Sequence, residues 1–318
     1  MQTSHGNKKI KARAVEIISL FTCLSLLVLA LFLSLFFSDE ISHATLSGLK
    51  LCSSVIIPSV FPFMIVADFL LYSVNFDTLS ILGRAFERIF KVTRKALPAF
   101  ALGVLCGFPL GVKCASELYL DGEISKEEAE RLIGFCNNTG PAFLISGVGA
   151  GLRKSATDGL ILYLCMLISA VLVGFLFSLG KPSPKLTESR ARGRSFSLVR
   201  SISQAGLNTL TVCSFLTFFA SICGLLRKLL TQSYPYLALI CILEVGNATS
   251  ILSKTPLLSS DLSLILSAFA VSFSGLSVHL QAMSFLSSTD IRVGKYYIMK
   301  LCQGVLAALL CALMLFFL

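Results

Sequence analysis

Long apolar stretches recur along this sequence, and several are long enough to cross a lipid bilayer. A helix needs about 20 predominantly apolar residues to span a hydrocarbon core about 30 Å thick. Hydrophobic residues make up 55% of the 318-residue chain and charged residues 14%, whereas about 25% of residues are charged in soluble proteins. The sequence therefore predicts an all-α polytopic membrane protein.

The distribution of charge argues against a nucleic-acid partner. The formal net charge is +10, but the basic residues fall in short runs between apolar segments, as the topology signals of membrane proteins do. The eleven cysteines include no CxxC pair, and His5, His43 and His279 lie far apart in the sequence. We therefore expect neither a metal site nor a cofactor, and we expect the lipid bilayer as the main surrounding of the chain.

Flanking charges predict the topology of the N-terminal part. Residues 17–37 follow a basic tail and contain no charge, which predicts a retained first span with a cytoplasmic N-terminus. Asp39 and Glu40, with no Lys or Arg between them and Lys50, predict an external loop. We expect a multi-pass protein of the cell membrane.

The second span is predicted at residues 49–72. Two prolines in its IPSVFPF motif (57–63) remove amide donors and disfavour helix in the preceding residues, which predicts a kink or an unwound turn. The basic stretch 84–95 that follows predicts a cytoplasmic loop.

Residues 97–152 are apolar but repeatedly interrupted, by CGFPLGVK (106–113), an acidic segment and NNTGP (137–141). Such broken backbone is tolerated in a bilayer only where protein or a water-filled cavity covers it. A capping box at Ser125 and Glu128 predicts a helix that runs to about residue 135. Residues 141–152 are too short to span, which predicts a re-entrant segment.

The remaining segments divide the chain into two halves. We expect about eight membrane segments, and those after the broken stretch are residues 159–179, 204–226, 236–252, 262–286 and 296–318. A basic Pro- and Ser-containing stretch predicts a cytoplasmic linker. The predicted divisions are a tail with the first span (1–47), a first repeat (48–180), the linker (181–203) and a second repeat (204–318).

A weak internal repeat supports this division. Residues 110–120 align without gaps with residues 276–286, and each segment follows a glycine-containing turn. The basic loops give the two halves opposite orientations. Inverted repeats with broken helices are the architecture of many secondary transporters, whose substrates bind near the midplane.

Polar residues in the apolar segments are the candidate site, because intramembrane charges are costly and usually face a cavity or each other. Lys113 and Glu117 form either a ligand site or a structural ion pair. Glu244 either takes part in proton or cation coupling, or it forms a structural pair with Lys113 or His279. The NNTGP turn is either a ligand-binding helix terminus or a capped surface turn, and His279 is either a cavity residue or a packing residue.

The full set of candidate binding residues comprises the helix-breaking residues and the polar side chains beside them. They are Gly107, Pro109, Gly111, Lys113, Glu117, Asn137, Asn138, Thr139, Gly140, Pro141, Glu244, Asn247, Gly275, Ser277, His279 and Gln281. The sequence contains no nucleophile elbow, P-loop or HExxH motif, so we expect no enzyme.

Five motifs carry a resemblance to a known family: IPSVFPF (57–63), GFPLG (107–111), EEAERL (127–132), FCNNTGP (135–141) and SGLSVHLQ (274–281). In these motifs the chain resembles the YlbJ-type sporulation integral membrane proteins, in the nucleoside-recognition (Gate) domain group. The resemblance runs from about residue 48 to the C-terminus and implies a role in spore formation without naming a substrate. The segment EVGN (244–247) departs from the family's EVTN form at position 246.

Two functions remain open. The first is a transporter or channel-like protein for a small polar solute or ion, nucleoside-like or other, whose pathway lies between the two repeats. The alternative is a non-transporting membrane scaffold that orders sporulation membrane partners or forms a homo-oligomer. The transporter depends on the intramembrane polar residues, whereas the scaffold depends on the cytoplasmic stretches 84–95 and 181–200.

Overall fold

The computed structural model describes residues 32, 35–73, 80–184, 196–231 and 233–317. Within these ranges the chain is helical and contains no strand, so the all-α prediction is confirmed for the described part. The predicted first span and residues 185–195 of the linker lie largely or wholly outside it. The α-helices are α1 (Ser38–Leu51), α2 (Ile57–Ser73), α3 (Ser80–Phe90), α4 (Leu97–Leu105), α5 (Leu110–Leu120), α6 (Lys126–Cys136), α7 (Ala156–Leu176), α8 (Leu198–Leu230), α9 (Tyr234–Leu243), α10 (Val245–Leu252), α11 (Ser260–Phe273), α12 (Gly275–Leu286) and α13 (Gly294–Phe317).

Four helical stretches in the described part are long and apolar enough to cross a membrane: Ala156–Leu176, Leu198–Leu230, Ser260–Leu286 and Gly294–Phe317. Three shorter apolar helices accompany them: Val60–Leu71, Ala142–Arg153 and Tyr234–Leu243. These lengths and compositions are those of a membrane protein. The total of eight segments stays a prediction.

The predicted external loop after residue 37 is wrong, because these residues form α1. Asp39 and Glu40 lie in its first turn, where acidic side chains interact favourably with the helix dipole. The helix packs along α8, with Thr45 Oγ1 2.7 Å from Ser221 Oγ. Flanking charge carries no information on the conformation of a segment, and the side of the membrane that these residues face stays a prediction.

The basic stretch 84–95 is also mainly helical rather than a loop. It comprises the end of α3, a short turn and the 3-10 helix Arg94–Ala96. Phe86 and Phe90 are buried on one face of α3, so the apolar spacing of an amphipathic helix was present in the sequence.

The irregularity predicted from Pro58 and Pro62 occurs on the N-terminal side of Pro58. Residues Cys52–Ile56 form a π-helical turn, and α2 continues through Pro62. A proline in a helix leaves a carbonyl of the preceding turn without its amide donor, and a local π turn is one way to accommodate that loss.

Helix α6 starts as its capping box predicts. The Glu128 amide donates to Ser125 Oγ at 3.3 Å, and the Ser125 amide donates to Glu128 Oε2 at 2.8 Å. The other carboxylate oxygen of Glu128 accepts from the Thr93 amide at 2.7 Å. The box therefore also ties α6 to the turn before α4.

Two pairs of short helices form hairpins. Hairpin 1 is α4 with α5, which pack against each other and are joined at their open end by the ion pair Lys95–Glu123. Hairpin 2 is α9 with α10, which also pack together, and Tyr234 Oη donates to the Leu257 carbonyl at 3.3 Å near its open end.

Two longer elements are each interrupted once. Broken helix 1 is α6 followed by the π-helical segment Ala142–Arg153, and broken helix 2 is α11 followed by α12. They run in opposite directions between the same two ends of the molecule. Lys126 pairs with Asp290 at 2.7 Å at one end, and Arg153 Nη1 donates to Ser263 Oγ at 2.9 Å at the other.

This arrangement corrects the predicted re-entrant segment. Residues 141–152 continue from α6 to the Arg153 end, so they do not return to the end at which α6 begins. Hairpin 1 instead starts and finishes at the Lys126 end, where Tyr119 contacts Asp290. Hairpin 2 finishes at the Arg153 end, where Ser263 Oγ donates to the Leu252 carbonyl at 2.6 Å. Segment length alone could not distinguish half of a broken crossing from a re-entrant loop.

Electrostatic contacts hold the Lys126 end together. Asp290, in the connection between α12 and α13, accepts hydrogen bonds from Lys126 and Tyr119. The bond from Lys126, followed by the bond from Tyr119, holds the pKa of the Asp290 carboxyl below its usual range. The contact joins hairpin 1 and broken helix 1 to the second half of the chain.

Candidate functional site

The tips of the two hairpins lie against the interruptions of the two broken helices. A Cβ on Gly107, in the tip of hairpin 1, would lie 2.7 Å from the Gly140 amide nitrogen. A Cβ on Gly275, in the interruption of broken helix 2, would lie 3.2 Å from the Glu244 nitrogen at the tip of hairpin 2. Both glycines have positive φ, 88° and 73°, so glycine suits both the backbone conformation and the close approach.

Local sequence explains why the helices stop at two of these points. Pro109 and Pro141 lack an amide hydrogen and follow residues that are not helical, so the tip of hairpin 1 and the interruption of broken helix 1 each contain a proline. Asn137 ends α6 with φ −93° and ψ 88°. Glu244 is extended, with φ −153° and ψ 121°. Free backbone groups and polar side chains therefore meet in an otherwise apolar interior.

A buried lysine lies beside the interruption of broken helix 1. Lys300, on α13, is 0% exposed. Its Nζ donates to the Asn137 carbonyl at 2.8 Å and to Gln303 Oε1 at 2.7 Å, and Gln303 in turn donates to Asn138 Oδ1 at 2.8 Å. Among the described residues no carboxylate lies within ion-pairing distance of this amine, which is unusual for a buried charge.

A chain of hydrogen bonds connects Asn137 to His279. Asn137 Nδ2 donates to Tyr296 Oη at 3.2 Å, and this oxygen lies 2.8 Å from His279 Nδ1. The ring nitrogen Nδ1 and the hydroxyl share one hydrogen bond, and which of them donates depends on the tautomer of the imidazole. His279 Nε2 is buried and has no partner in the described structure, so this ring nitrogen is available to a bound molecule.

Two more buried polar atoms in this region have no partner in the described part of the chain, Asn137 Oδ1 and Gln281 Oε1. Gln281 Nε2 donates to Ser277 Oγ at 3.3 Å. Buried polar groups are rarely left without hydrogen bonds. His279 and the two amides therefore offer both donors and acceptors to a bound molecule.

Other residues of the NNTGP turn hold the backbone in place. Thr139 Oγ1 donates to the Val271 carbonyl at 2.8 Å, which links the two broken helices. Asn138 Nδ2 donates to the Phe135 carbonyl at 2.7 Å. Thr139 and Asn138 are buried, so the turn lies in the protein interior.

Glu244 caps its own half-helix. Its carboxylate accepts from the Gly246 amide at 2.8 Å and the Asn247 amide at 2.6 Å, and from Asn247 Nδ2 at 2.8 Å. The carboxylate is thus neutralised by the N-terminus of α10 rather than by a cation. The predicted alternative of pairing with Lys113 or His279 is wrong.

We expect Glu244→Gln to lower the free energy of unfolding by about 2 kcal/mol, because an amide nitrogen would face one of the two backbone donors that the carboxylate now accepts from. Thermal unfolding of the detergent-purified variant measures the loss. Glu127→Gln, at an exposed position of α6, is the control and should unfold as wild type. Wild-type stability in Glu244→Gln would contradict the capping role.

A separate ionic cluster lies where α2 meets hairpin 1. Lys113 pairs with Asp68 of α2 and, at 3.1 Å, with Glu117 one turn along its own helix. Lys113 and Asp68 are buried. The predicted ion pair between Lys113 and Glu117 is present, and Asp68 is an addition that sequence reasoning missed.

The structure places seven of the predicted site residues in three groups. Asn137, Asn138 and His279 share one network with the missed residues Tyr296, Lys300 and Gln303. Glu244 and Asn247 lie together at the tip of hairpin 2, and Lys113 and Glu117 lie in the ionic cluster. Asp68 and Lys300 could have been found, since each is a single charge within an apolar stretch.

Comparisons with known proteins agree with the helical membrane architecture. No protein-family model and no solved structure matches the chain. The sporulation integral membrane protein YlbJ of Bacillus subtilis (strain 168) is 28% identical over an alignment 332 positions long with its gaps, which covers 89% of this chain and 81% of that protein. The resemblance to the YlbJ-type proteins is therefore confirmed.

Proposed function

We propose that this homologue of a sporulation integral membrane protein is a transporter that carries a small polar solute or ion across the cell membrane during spore formation. The solute binds where the hairpin tips meet the interrupted helices. The observation that carries the proposal is the buried network of Asn137, His279, Tyr296 and Lys300, in which His279 Nε2 and Asn137 Oδ1 have no partner within the described structure.

The unpartnered atoms favour a binding role for this network over a purely structural one. Burying a polar group without a hydrogen bond costs about 1–3 kcal/mol in proteins. An apolar interior would avoid that cost, and a completed network would recover it. Unpartnered groups in a closed interior are instead what a solute with its own donors and acceptors would satisfy.

The charge of the network favours a solute that carries negative charge. Lys300 has no carboxylate partner in the described part of the chain, and the groups bonded to it are a backbone carbonyl and the Gln303 amide. An anionic group beside Lys300 would restore charge balance in a region of low dielectric constant. The unpartnered Nε2 of His279 would add a hydrogen-bonding group.

The order of elements supports an inverted repeat, with pairings that differ from the sequence alignment. Hairpin 1, broken helix 1 and α7 follow one another in the first half, and hairpin 2, broken helix 2 and α13 follow in the second. Hairpin 1 opens at the Lys126 end and hairpin 2 at the Arg153 end, so the halves have opposite orientation. Residues 110–120 and 276–286 then occupy different positions in the two repeats.

The basic residues at 84–95 assign the Lys126 end to the cytoplasm by the positive-inside rule. Lys95 pairs with Glu123 at this end, and Arg131 donates to the Lys91 carbonyl at 2.7 Å. A cytoplasmic N-terminus is the orientation expected from the basic tail.

Binding and uptake together test the proposal. We expect detergent-purified protein to be stabilised in a thermal-shift screen of nucleosides, nucleobases, dicarboxylates, amino acids and ions, since a ligand at 100 times its dissociation constant adds about 2.7 kcal/mol. The same compound should accumulate in proteoliposomes and not in protein-free vesicles. Failure of every compound in both assays, with a sporulation defect caused only by swapping residues 84–95 or 181–200, would favour the scaffold.

A further inference from the structure

The ionic cluster of Asp68, Lys113 and Glu117 contains one more acidic group than basic group. Lys113 is 3% exposed and lies between the two carboxylates, in contact with Asp68 and 3.1 Å from Glu117 Oε1. The second oxygen of Glu117, Oε2, is buried and has no partner in the described structure. One ammonium group can balance one carboxylate, so the second carboxylate is uncompensated.

Among the described residues, the charged groups with the largest effects on Glu117 are Lys113, Asp68 and Asp121, and of these only Lys113 is positive. Cys114 and Cys106, beside the cluster, are uncharged as thiols. Among the described residues no group of three or more His, Cys, Asp or Glu side chains could hold a metal ion.

We propose that this cluster binds one exchangeable proton, carried by Glu117 while Lys113 pairs with Asp68. The carboxylate of Glu117 takes a proton from a hydronium ion and releases water, and it returns the proton to water when the cluster opens. The bound proton makes the cluster neutral and supplies a hydrogen for the unpartnered oxygen.

The position of the cluster connects the proton to the proposed transport. Asp68 belongs to α2, whereas Lys113 and Glu117 belong to hairpin 1, so the ion pair joins hairpin 1 to a neighbouring helix. Once Glu117 has lost its proton, its carboxylate competes with Asp68 for Lys113, and this competition weakens the connection between α2 and hairpin 1. This coupling rests on the proposed function, whereas binding of the proton itself does not.

Infrared difference spectroscopy of the detergent-purified protein tests the proton directly. We expect wild-type protein at neutral pH to show the carbonyl band of one protonated carboxyl group, with the shift in deuterium oxide that such a group gives. Glu117→Gln removes the group that carries the proton. Asp68→Asn leaves a single carboxylate to pair with Lys113, so the band should be lost in both variants.

The control and the transport assay separate the two proposals. Glu127→Gln, at an exposed position of the same protein, should keep the band. Absence of the band in wild type, or its persistence in both cluster variants, would overturn the proton site whatever the solute. For a solute identified in the uptake assay, an inward proton gradient should accelerate uptake by the wild-type protein. Glu117→Gln should lose this acceleration and keep solute exchange. Acceleration equal to wild type would overturn the coupling.

Discussion

Replacing Lys300 with methionine is expected to abolish solute binding and uptake while leaving the protein folded. Methionine has similar length and fills the same volume, but it removes the only charge in the network around Asn137 among the described residues. We expect the free energy of unfolding to stay within about 1 kcal/mol of wild type. The loss of two hydrogen bonds is offset by removal of a buried ammonium group that has no carboxylate partner.

Binding and unfolding measured on the same preparation check this expectation. Lys295→Met is the matched control, because Lys295 lies five residues earlier near the start of the same helix, with 57% of its side chain exposed and a carboxylate 3.6 Å away. The control should bind and transport as wild type. Solute uptake by Lys300→Met at the wild-type rate would contradict a place for Lys300 in the binding site. If the variant instead fails to fold, the role of Lys300 is structural.

Replacing Gly111 with alanine is expected to prevent the chain from folding. A Cβ at this position would lie 2.0 Å from the carbonyl oxygen of Cys136, and Gly103 on the opposite arm of hairpin 1 approaches the same oxygen. The last carbonyl of α6 therefore lies between the two arms of hairpin 1, where Gly103 and Gly111 have no side chain to obstruct it. Both colliding groups are backbone, so the strain cannot be relieved by a side-chain rotation, and we expect a cost above about 3 kcal/mol.

Yield of monodisperse protein and its thermal unfolding measure this effect. Gly206→Ala is the control, because a Cβ at that position of α8 would meet nothing within 4 Å. Alanine there should be neutral or stabilising by up to about 1 kcal/mol, as alanine is the better helix former. A Gly111→Ala variant as stable as wild type would show that hairpin 1 does not lie against Cys136 as described.

Much of the local structure could be predicted because it depends on residues close together in the sequence. Ser125 and Glu128 define the start of α6 through bonds within one turn. Lys113 and Glu117 pair because four residues separate them on one helix face. The interruptions at 107–111 and 137–141 follow from glycine and proline.

The predictions were wrong where a single local property, such as flanking charge or segment length, was used to predict the structure of a whole segment. Residues 38–48 carry the charges of an external loop and yet pack along α8 as a helix. Residues 141–152 have the length of a re-entrant segment, but they continue from α6 and finish at the opposite end of the molecule. Glu244 was correctly singled out as a costly acid, and its partners proved to be backbone amides two and three residues away.

By itself the sequence determined the helical class, the membrane environment, the positions of most interruptions and the polar residues beside them. These properties depend on hydrophobicity and on contacts within one or two turns. Only the tertiary structure decided which residues share a site. Lys113 meets Asp68 across 45 residues, and Lys300 meets Asn137 across 163, because the packing of the hairpins against the broken helices brings distant segments together.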